Sequence, residues 1–107
     1  MTLVLDITPA QHRELLQLLQ QFLPQVRVWT FGSRVKACAR PYSDLDLVLF
    51  AKPEQKSQVF ALQEALEESN LPFKVDLLIW DEIPDNFKTN IQNQFISLVS
   101  ETGNSQA

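Results

Sequence analysis

The part of this chain that is expected to fold contains a single glycine, and this scarcity excludes several types of phosphate-binding loop. The 107 residues include two glycines, Gly32 and Gly103, where average usage would give roughly seven. Gly103 lies in a polar C-terminal stretch, so Gly32 alone is available for a backbone conformation that other residues avoid. A P-loop needs two glycines and a Rossmann dinucleotide site needs three in close order. This sequence can supply neither.

Length and composition predict one globular domain. Hydrophobic residues make up 45% of the chain and charged residues 21%, which is ordinary globular composition and argues against disorder. We expect residues 1–100 to form a single domain and residues 101–107 to form a flexible tail. Thirteen acidic against nine basic residues give a net charge of −4. Direct nucleic-acid binding is therefore not expected.

Cysteine usage and hydropathy predict a cytoplasmic protein. The single cysteine, Cys38, cannot form an intrachain disulfide, and a lone thiol suits a reducing compartment. No apolar run approaches the ~20 residues that a membrane-spanning helix needs, and the first residues do not resemble a signal peptide. We therefore expect no membrane association.

The hydrophobic pattern predicts alternating helices and strands. In chain order, the predicted elements are a helix from Thr8 to Pro24, strands at 26–31 and 44–50, a helix from Pro53 to about Ser69, a strand at 73–80 and a helix past Pro84. The segment 95–99 either continues the last helix or forms a fourth strand. This order predicts a small α/β (α+β) domain with a mixed sheet of three or four strands flanked by helices.

Three aspartates on two predicted strands suggest a metal site. Asp44 and Asp46 stand at positions i and i+2, so their side chains project from one face of a strand, about 6.6 Å apart. Asp76 lies within a very hydrophobic strand, where an unpaired carboxylate would cost several kcal/mol. Mg²⁺ typically binds one or two carboxylates together with substrate phosphates. The alternative is that Asp44 caps a turn and Asp46 points to solvent.

A second group of residues is suited to binding phosphate. Gly32 and Ser33 follow a predicted strand directly, and ten residues separate Ser33 from Asp44. A strand-to-helix junction of this kind offers free backbone N–H groups, a hydroxyl and space for close approach. Arg34 follows at once and is the preferred cation for a triphosphate. The alternative is that the cations at 34, 36 and 40 belong to a solvated loop with no anion-binding role.

Together these motifs resemble a known family. Phe31-Gly32-Ser33, then Asp44-Leu45-Asp46-Leu47, then a later strand with Asp76 is similar to the nucleotidyltransferase superfamily of DNA polymerase β. Within it, the segment 31–47 resembles the minimal nucleotidyltransferases that act as antitoxins beside HEPN-domain toxins. The resemblance covers about residues 10–100, and it implies a small nucleotidyltransferase fold.

The resemblance also implies roles for individual residues. Gly32 and Ser33, with Arg34, would bind the nucleotide phosphates. Asp44 and Asp46 would bind Mg²⁺, as two ions, and Asp76 would act as general base or complete the metal site.

The activity that the resemblance implies is the transfer of AMP from ATP to a tyrosine of a HEPN-type toxin, which neutralises the toxin. The chain and toxin would form a hetero-oligomer. Two alternatives remain open at this point: neutralisation by binding alone, and modification of a small molecule such as an antibiotic in a pocket completed by a partner chain.

Overall fold

The fold was analysed in a computed structural model that describes residues 5–32, 35 and 44–99. The described elements are α1 (Pro9–Phe22), β1 (Val28–Phe31), β2 (Leu45–Leu49), α2 (Lys56–Glu67), β3 (Val75–Ile79), α3 (Asp85–Asn93) and β4 (Ile96–Val99). Short 3-10 turns at Pro53–Gln55 and Trp80–Glu82 lead into α2 and out of β3. The predicted order of elements is confirmed. The expected tail at 101–107 lies outside the described residues.

Local signals in the sequence explain where α1 begins. The Thr8 hydroxyl accepts a hydrogen bond from the Gln11 N–H at 3.1 Å, and the Gln11 side chain accepts one from the Thr8 N–H at 2.9 Å. This reciprocal capping box satisfies two N–H groups that would otherwise lack partners at the helix start. Pro9 occupies the first turn, where its missing N–H costs nothing.

The four strands form one mixed sheet in the order β3-β2-β1-β4. β1 pairs antiparallel with β2 and with β4, whereas β2 pairs parallel with β3. A parallel pair needs a long crossover connection, and α2 provides it. The open choice for 95–99 is settled as a strand: Gln94 is extended, with φ −158°, so α3 ends there and the chain returns along β1.

Each face of the sheet packs against a different set of helices. The α1 and α2 side forms the larger core, whose buried residues include Leu15, Leu19, Leu45, Leu47, Leu49, Leu62 and Leu66. On the opposite face, Phe31, Val48 and Ile91 of α3 form a second buried cluster. Successive side chains of a strand point to opposite faces of the sheet. The leucines of β2 lie on the first face, and Asp46 therefore lies on the second face with Val48.

Aromatic side chains extend the second cluster. Trp29 stacks on Phe95 with ring centroids 3.9 Å apart and meets Trp80 edge-on at 5.6 Å. Both tryptophans therefore pack within the fold. None of the helices in the described part of the chain has the length and apolar character needed to span a bilayer.

Two residues of α2 provide a test of this packing. Leu62 is fully buried in the larger core, whereas Phe60, two positions earlier, is 68% exposed. We expect Leu62→Ala to lower the free energy of unfolding by about 2–5 kcal/mol because it leaves a cavity. The matched variant Phe60→Ala should change it by less than about 0.5 kcal/mol. Urea denaturation measures both; equal losses would contradict the described orientation of α2.

Candidate active site

The strand register places Asp46 at the centre of a row of residues that were predicted to form the site. Asp46 is paired with Phe31 of β1 on one side and with Asp76 of β3 on the other. Paired residues on neighbouring strands share a face, and neighbouring strands lie about 4.8 Å apart. The sheet thus brings together two of the three predicted carboxylates, from strands that are separated by α2 in the sequence.

Gly32 lies directly against the Asp46 carboxylate. Its φ is +89°, in the left-handed region that favours glycine. A Cβ added at this position would collide with the Asp46 Oδ2 atom, so the close approach also requires glycine. The neighbouring Thr30 is buried and its hydroxyl donates a 2.9 Å hydrogen bond to the Asp46 carbonyl oxygen. These contacts hold the start of β2 against the end of β1.

Asp46 is in an unfavourable environment for a negative charge. Burial raises the pKa of its carboxyl above the ordinary value of 3.8, and the charges of Asp76 and then Asp44 raise it further. Asp44 itself is exposed and directly precedes β2. The three predicted carboxylates therefore lie close enough for the charges of Asp76 and Asp44 to act on Asp46.

The environment of Asp76 differs from the prediction. Its strand is hydrophobic, but β3 lies at one edge of the sheet, and the Asp76 side chain remains 38% exposed. The Lys74 ammonium lies 3.4 Å from its Oδ1 atom, so the carboxylate is neither unpaired nor fully desolvated. The expected large burial cost at Asp76 was therefore wrong, and the burial falls on Asp46 instead.

Asp44, Asp46 and Asp76 are neighbours, but in the described structure they are not arranged as a complete metal site. Among residues 5–32, 35 and 44–99, no three His, Cys, Asp or Glu side chains are arranged so that they could hold one ion together. The chemistry of the donors nevertheless fits Mg²⁺, which prefers carboxylate oxygens. Their mutual repulsion at Asp46 is also the kind of strain that a bound cation relieves.

A cavity opens beside Gly32, on the side of Asp46 away from Asp76. Its volume is about 450 Å³. The lining residues are Phe31, Gly32, Phe87, Asn90, Ile91, Asn93 and Gln94. Most of them belong to α3, a helix for which the sequence pattern predicted no functional role. The spacing of Phe87, Asn90 and Ile91 was a usable signal, because it places these three residues on one helix face. Gln94 directly follows the end of that helix.

Two predicted phosphate-binding residues, Ser33 and Arg34, lie outside the described residues. Their roles stay predictions, as does the role of the cations at 36 and 40. Gly32 is described, and its positive φ is a conformation that favours glycine. The group in contact with it is the Asp46 carboxylate, and the approach of a nucleotide phosphate to Gly32 stays a prediction.

The contact between Gly32 and Asp46 predicts a coupled effect on stability. Gly32→Ala should lower the free energy of unfolding by about 1–3 kcal/mol, because the new methyl group meets the carboxylate and φ is positive. Combining it with Asp46→Ala removes the carboxylate, so part of that loss should be recovered in the double variant. Strictly additive losses in denaturant titrations would show that the two residues do not touch.

The raised pKa of Asp46 predicts a pH-dependent cost in stability. The unfolded chain releases this proton near its ordinary pKa of 3.8, whereas the folded protein holds it to a higher pH. The stability linked to the protonated carboxyl is therefore present below the unfolded pKa and is lost as the pH rises through the folded pKa. Asp46→Asn removes that loss, and its thermal midpoint at neutral pH should be higher than that of the wild type.

Thermal unfolding of both proteins across acidic and neutral pH measures this difference. The gain should shrink as the pH falls, because Asp46 in the wild type is then protonated. Asp81→Asn, which removes an exposed carboxylate outside the site, is the matched control and should leave the midpoint near the wild-type value. A lower midpoint for Asp46→Asn at neutral pH would contradict the described environment.

Comparisons with known proteins show what this chain is similar to in sequence and in fold. The chain is 40% identical over 95 residues to a probable protein adenylyltransferase MntA from Haemophilus influenzae, covering 86% of this chain and 82% of that protein. A crystal structure of a toxin–antitoxin with AMP-PNP has a TM-score of 0.66 at 18% identity, covering 83% of this chain and 73% of that one.

A second similar structure is a tri-AMPylated Shewanella oneidensis HEPN toxin in complex with an MNT antitoxin. Its TM-score is 0.54 at 18% identity, and it covers 85% of this chain and 71% of that one. At these identities the structures establish a shared fold.

The family is established by a sequence model described as Polymerase beta, Nucleotidyltransferase, which matches residues 13–103. Because this match spans most of the chain and includes the strands that hold Asp46 and Asp76, the chain belongs to the polymerase β nucleotidyltransferase family.

Proposed function

We propose that this chain is an antitoxin that transfers AMP from ATP to a tyrosine hydroxyl of a HEPN-type toxin and so neutralises it. The relative at 40% identity is named as a probable protein adenylyltransferase. Structures with the same fold include a toxin–antitoxin with AMP-PNP and a tri-AMPylated HEPN toxin with its antitoxin. The observation in this chain that supports the proposal most is the row Asp76, Asp46, Gly32 across three neighbouring chain segments.

That row gives the site two different sides. Gly32 and its cavity lie on the β1 side of Asp46, and Asp76 lies on the β3 side. Close backbone approach at Gly32 suits the phosphates of ATP. In the part of the chain that the structure describes, no strand pairs with the outer side of β3. A protein acceptor therefore has room to approach Asp76 from that edge.

The chemistry assigned to these residues is an in-line displacement at the α-phosphorus. The tyrosine oxygen forms a bond to that phosphorus, the bond to the bridging oxygen breaks, and pyrophosphate leaves. Asp76, which is partly exposed at the edge, accepts the proton of the attacking hydroxyl. Lys74 holds the Asp76 carboxylate at the edge of the sheet until the acceptor arrives.

Asp44, Asp46 and Asp76 are the residues that would bind Mg²⁺, as two ions. When bound, the metal stabilises the charge that develops on the attacking and leaving oxygens. Asp46 faces Gly32 directly, so it lies closest to the position assigned to the nucleotide phosphates. The repulsion that raises its pKa in the free protein would then become attraction for the metal.

A transfer assay tests the proposal. The purified full chain is incubated with ATP labelled at the α-phosphate, with Mg²⁺ and with its cognate HEPN-type toxin. We expect label on the toxin, a loss of about 100-fold or more in Asp46→Asn, and near-wild-type transfer in the control Asp81→Asn. Chelation by EDTA should stop transfer, and added Mg²⁺ should restore it.

Two outcomes would contradict the proposal. Label that stays off the toxin and is transferred to a small acceptor would identify a small-molecule nucleotidyltransferase. Full neutralisation of the toxin by Asp46→Asn, in growth assays where transfer is absent, would identify an antitoxin that acts by binding alone. Replacing tyrosines of the toxin one at a time by phenylalanine then identifies the acceptor.

A further inference from the structure

We propose that the cavity beside Gly32 binds the nucleoside part of the substrate, and that carboxamides on α3 and directly after it select its base. This inference rests on the proposed function, because it concerns the same site. The cavity has a volume of about 450 Å³, which lies within the range of pockets that hold small ligands. It shares Gly32 with the Asp46 contact, so a nucleotide whose phosphates lie at Gly32 extends directly into it.

The side chains around the cavity suit a base better than a phosphate. None of the described residues that line it is charged: two are phenylalanines and three are carboxamides, Asn90, Asn93 and Gln94. Phosphates are bound by cations and backbone N–H groups, whereas a carboxamide offers one acceptor and two donor hydrogens. That combination matches the edge of adenine, on which Asn and Gln form paired hydrogen bonds.

The helix that presents these groups is firmly attached to the sheet. Ile91 is buried against Phe31 and Val48, and the ring of Phe87 meets that of Phe31 edge-on at 5.8 Å. Asn90 lies on α3 beside Ile91, and Gln94 directly follows the end of the helix. A side chain on a helix that is packed against the sheet is held in a fixed orientation. Distinguishing one base from another by hydrogen bonds requires such a fixed orientation.

The competing occupant of this cavity is the acceptor tyrosine, and the layout of the site argues against it. The residue suited to receive the hydroxyl proton, Asp76, lies across Asp46 from the cavity. A tyrosine inside the cavity would therefore approach from the side where no described carboxylate lines the wall.

Equilibrium binding tests this inference without relying on turnover. Calorimetric titration of the full chain, with Mg²⁺, uses AMP-PNP, its guanine counterpart GMP-PNP and inorganic tripolyphosphate. The wild type should bind AMP-PNP more tightly than GMP-PNP. Asn90→Ala combined with Gln94→Ala should reduce that preference by about 10- to 100-fold, while tripolyphosphate binding stays near the wild-type value.

Two controls separate base selection from damage to the fold. Asn86→Ala and Gln92→Ala remove exposed carboxamides of the same helix that do not line the cavity, and both should keep the wild-type preference. Unchanged tripolyphosphate binding also reports an intact site. If the double variant fails to fold, the single variant Asn90→Ala supplies the comparison.

Several results would overturn the inference. In the titrations, these are equal binding of the two nucleotides by the wild type and an unchanged preference in the double variant. In the transfer assay, a double variant that changes only the KM for the toxin would assign the cavity to the acceptor. A different result would overturn the proposed function alone. In that case the chain binds AMP-PNP selectively through Asn90 and Gln94 but transfers nothing to the toxin, so the inference holds and the function does not. No binding of AMP-PNP or tripolyphosphate by the wild type would overturn both.

Discussion

The backbone of Gly32 lies so close to the Asp46 carboxylate that no side chain fits between them. This contact joins the end of β1 to the start of β2 and brings the Gly32 backbone next to a half-buried carboxylate. Under the proposed function, phosphate binding at Gly32 and metal binding at Asp46 would share one short stretch of the sheet. Of the two glycines in the chain, Gly32 is the one whose described conformation makes this possible.

The rest of the site follows from how the sheet extends from that contact. The parallel pairing of β2 and β3 places Asp76 beside Asp46, and α2 makes that pairing possible as the crossover. Concentrating carboxylates in this way destabilises the free protein, as the raised pKa of Asp46 indicates. The two cores on either side of the sheet offset that cost. Stability and function are therefore opposed at Asp46, as is common at active sites.

Much of the fold could be predicted from local patterns, because those patterns are what the fold depends on. The hydrophobic pattern predicted the order of helices and strands, because the apolar residues of 45–49 alternate as a strand requires and a capping box marks the start of α1. The environment of Asp76 could not be predicted, since a hydrophobic strand looks the same at the edge of a sheet as at its centre. The last strand was ambiguous because its apolar residues fit both periods, and pairing with β1 decided it. The cavity residues on α3 were missed because a helix face with carboxamides resembles an ordinary solvated face until Gly32 is placed opposite.

The central claim is that Asp46 separates a nucleotide side from an acceptor side. A crystal structure of the chain in complex with its HEPN-type toxin, AMP-PNP and Mg²⁺ tests it most directly. The account predicts the triphosphate against Gly32, the nucleoside toward α3 and a toxin tyrosine oxygen beside Asp76. A nucleotide bound along the outer edge of β3, with the tyrosine in the cavity lined by Asn90 and Gln94, would contradict it.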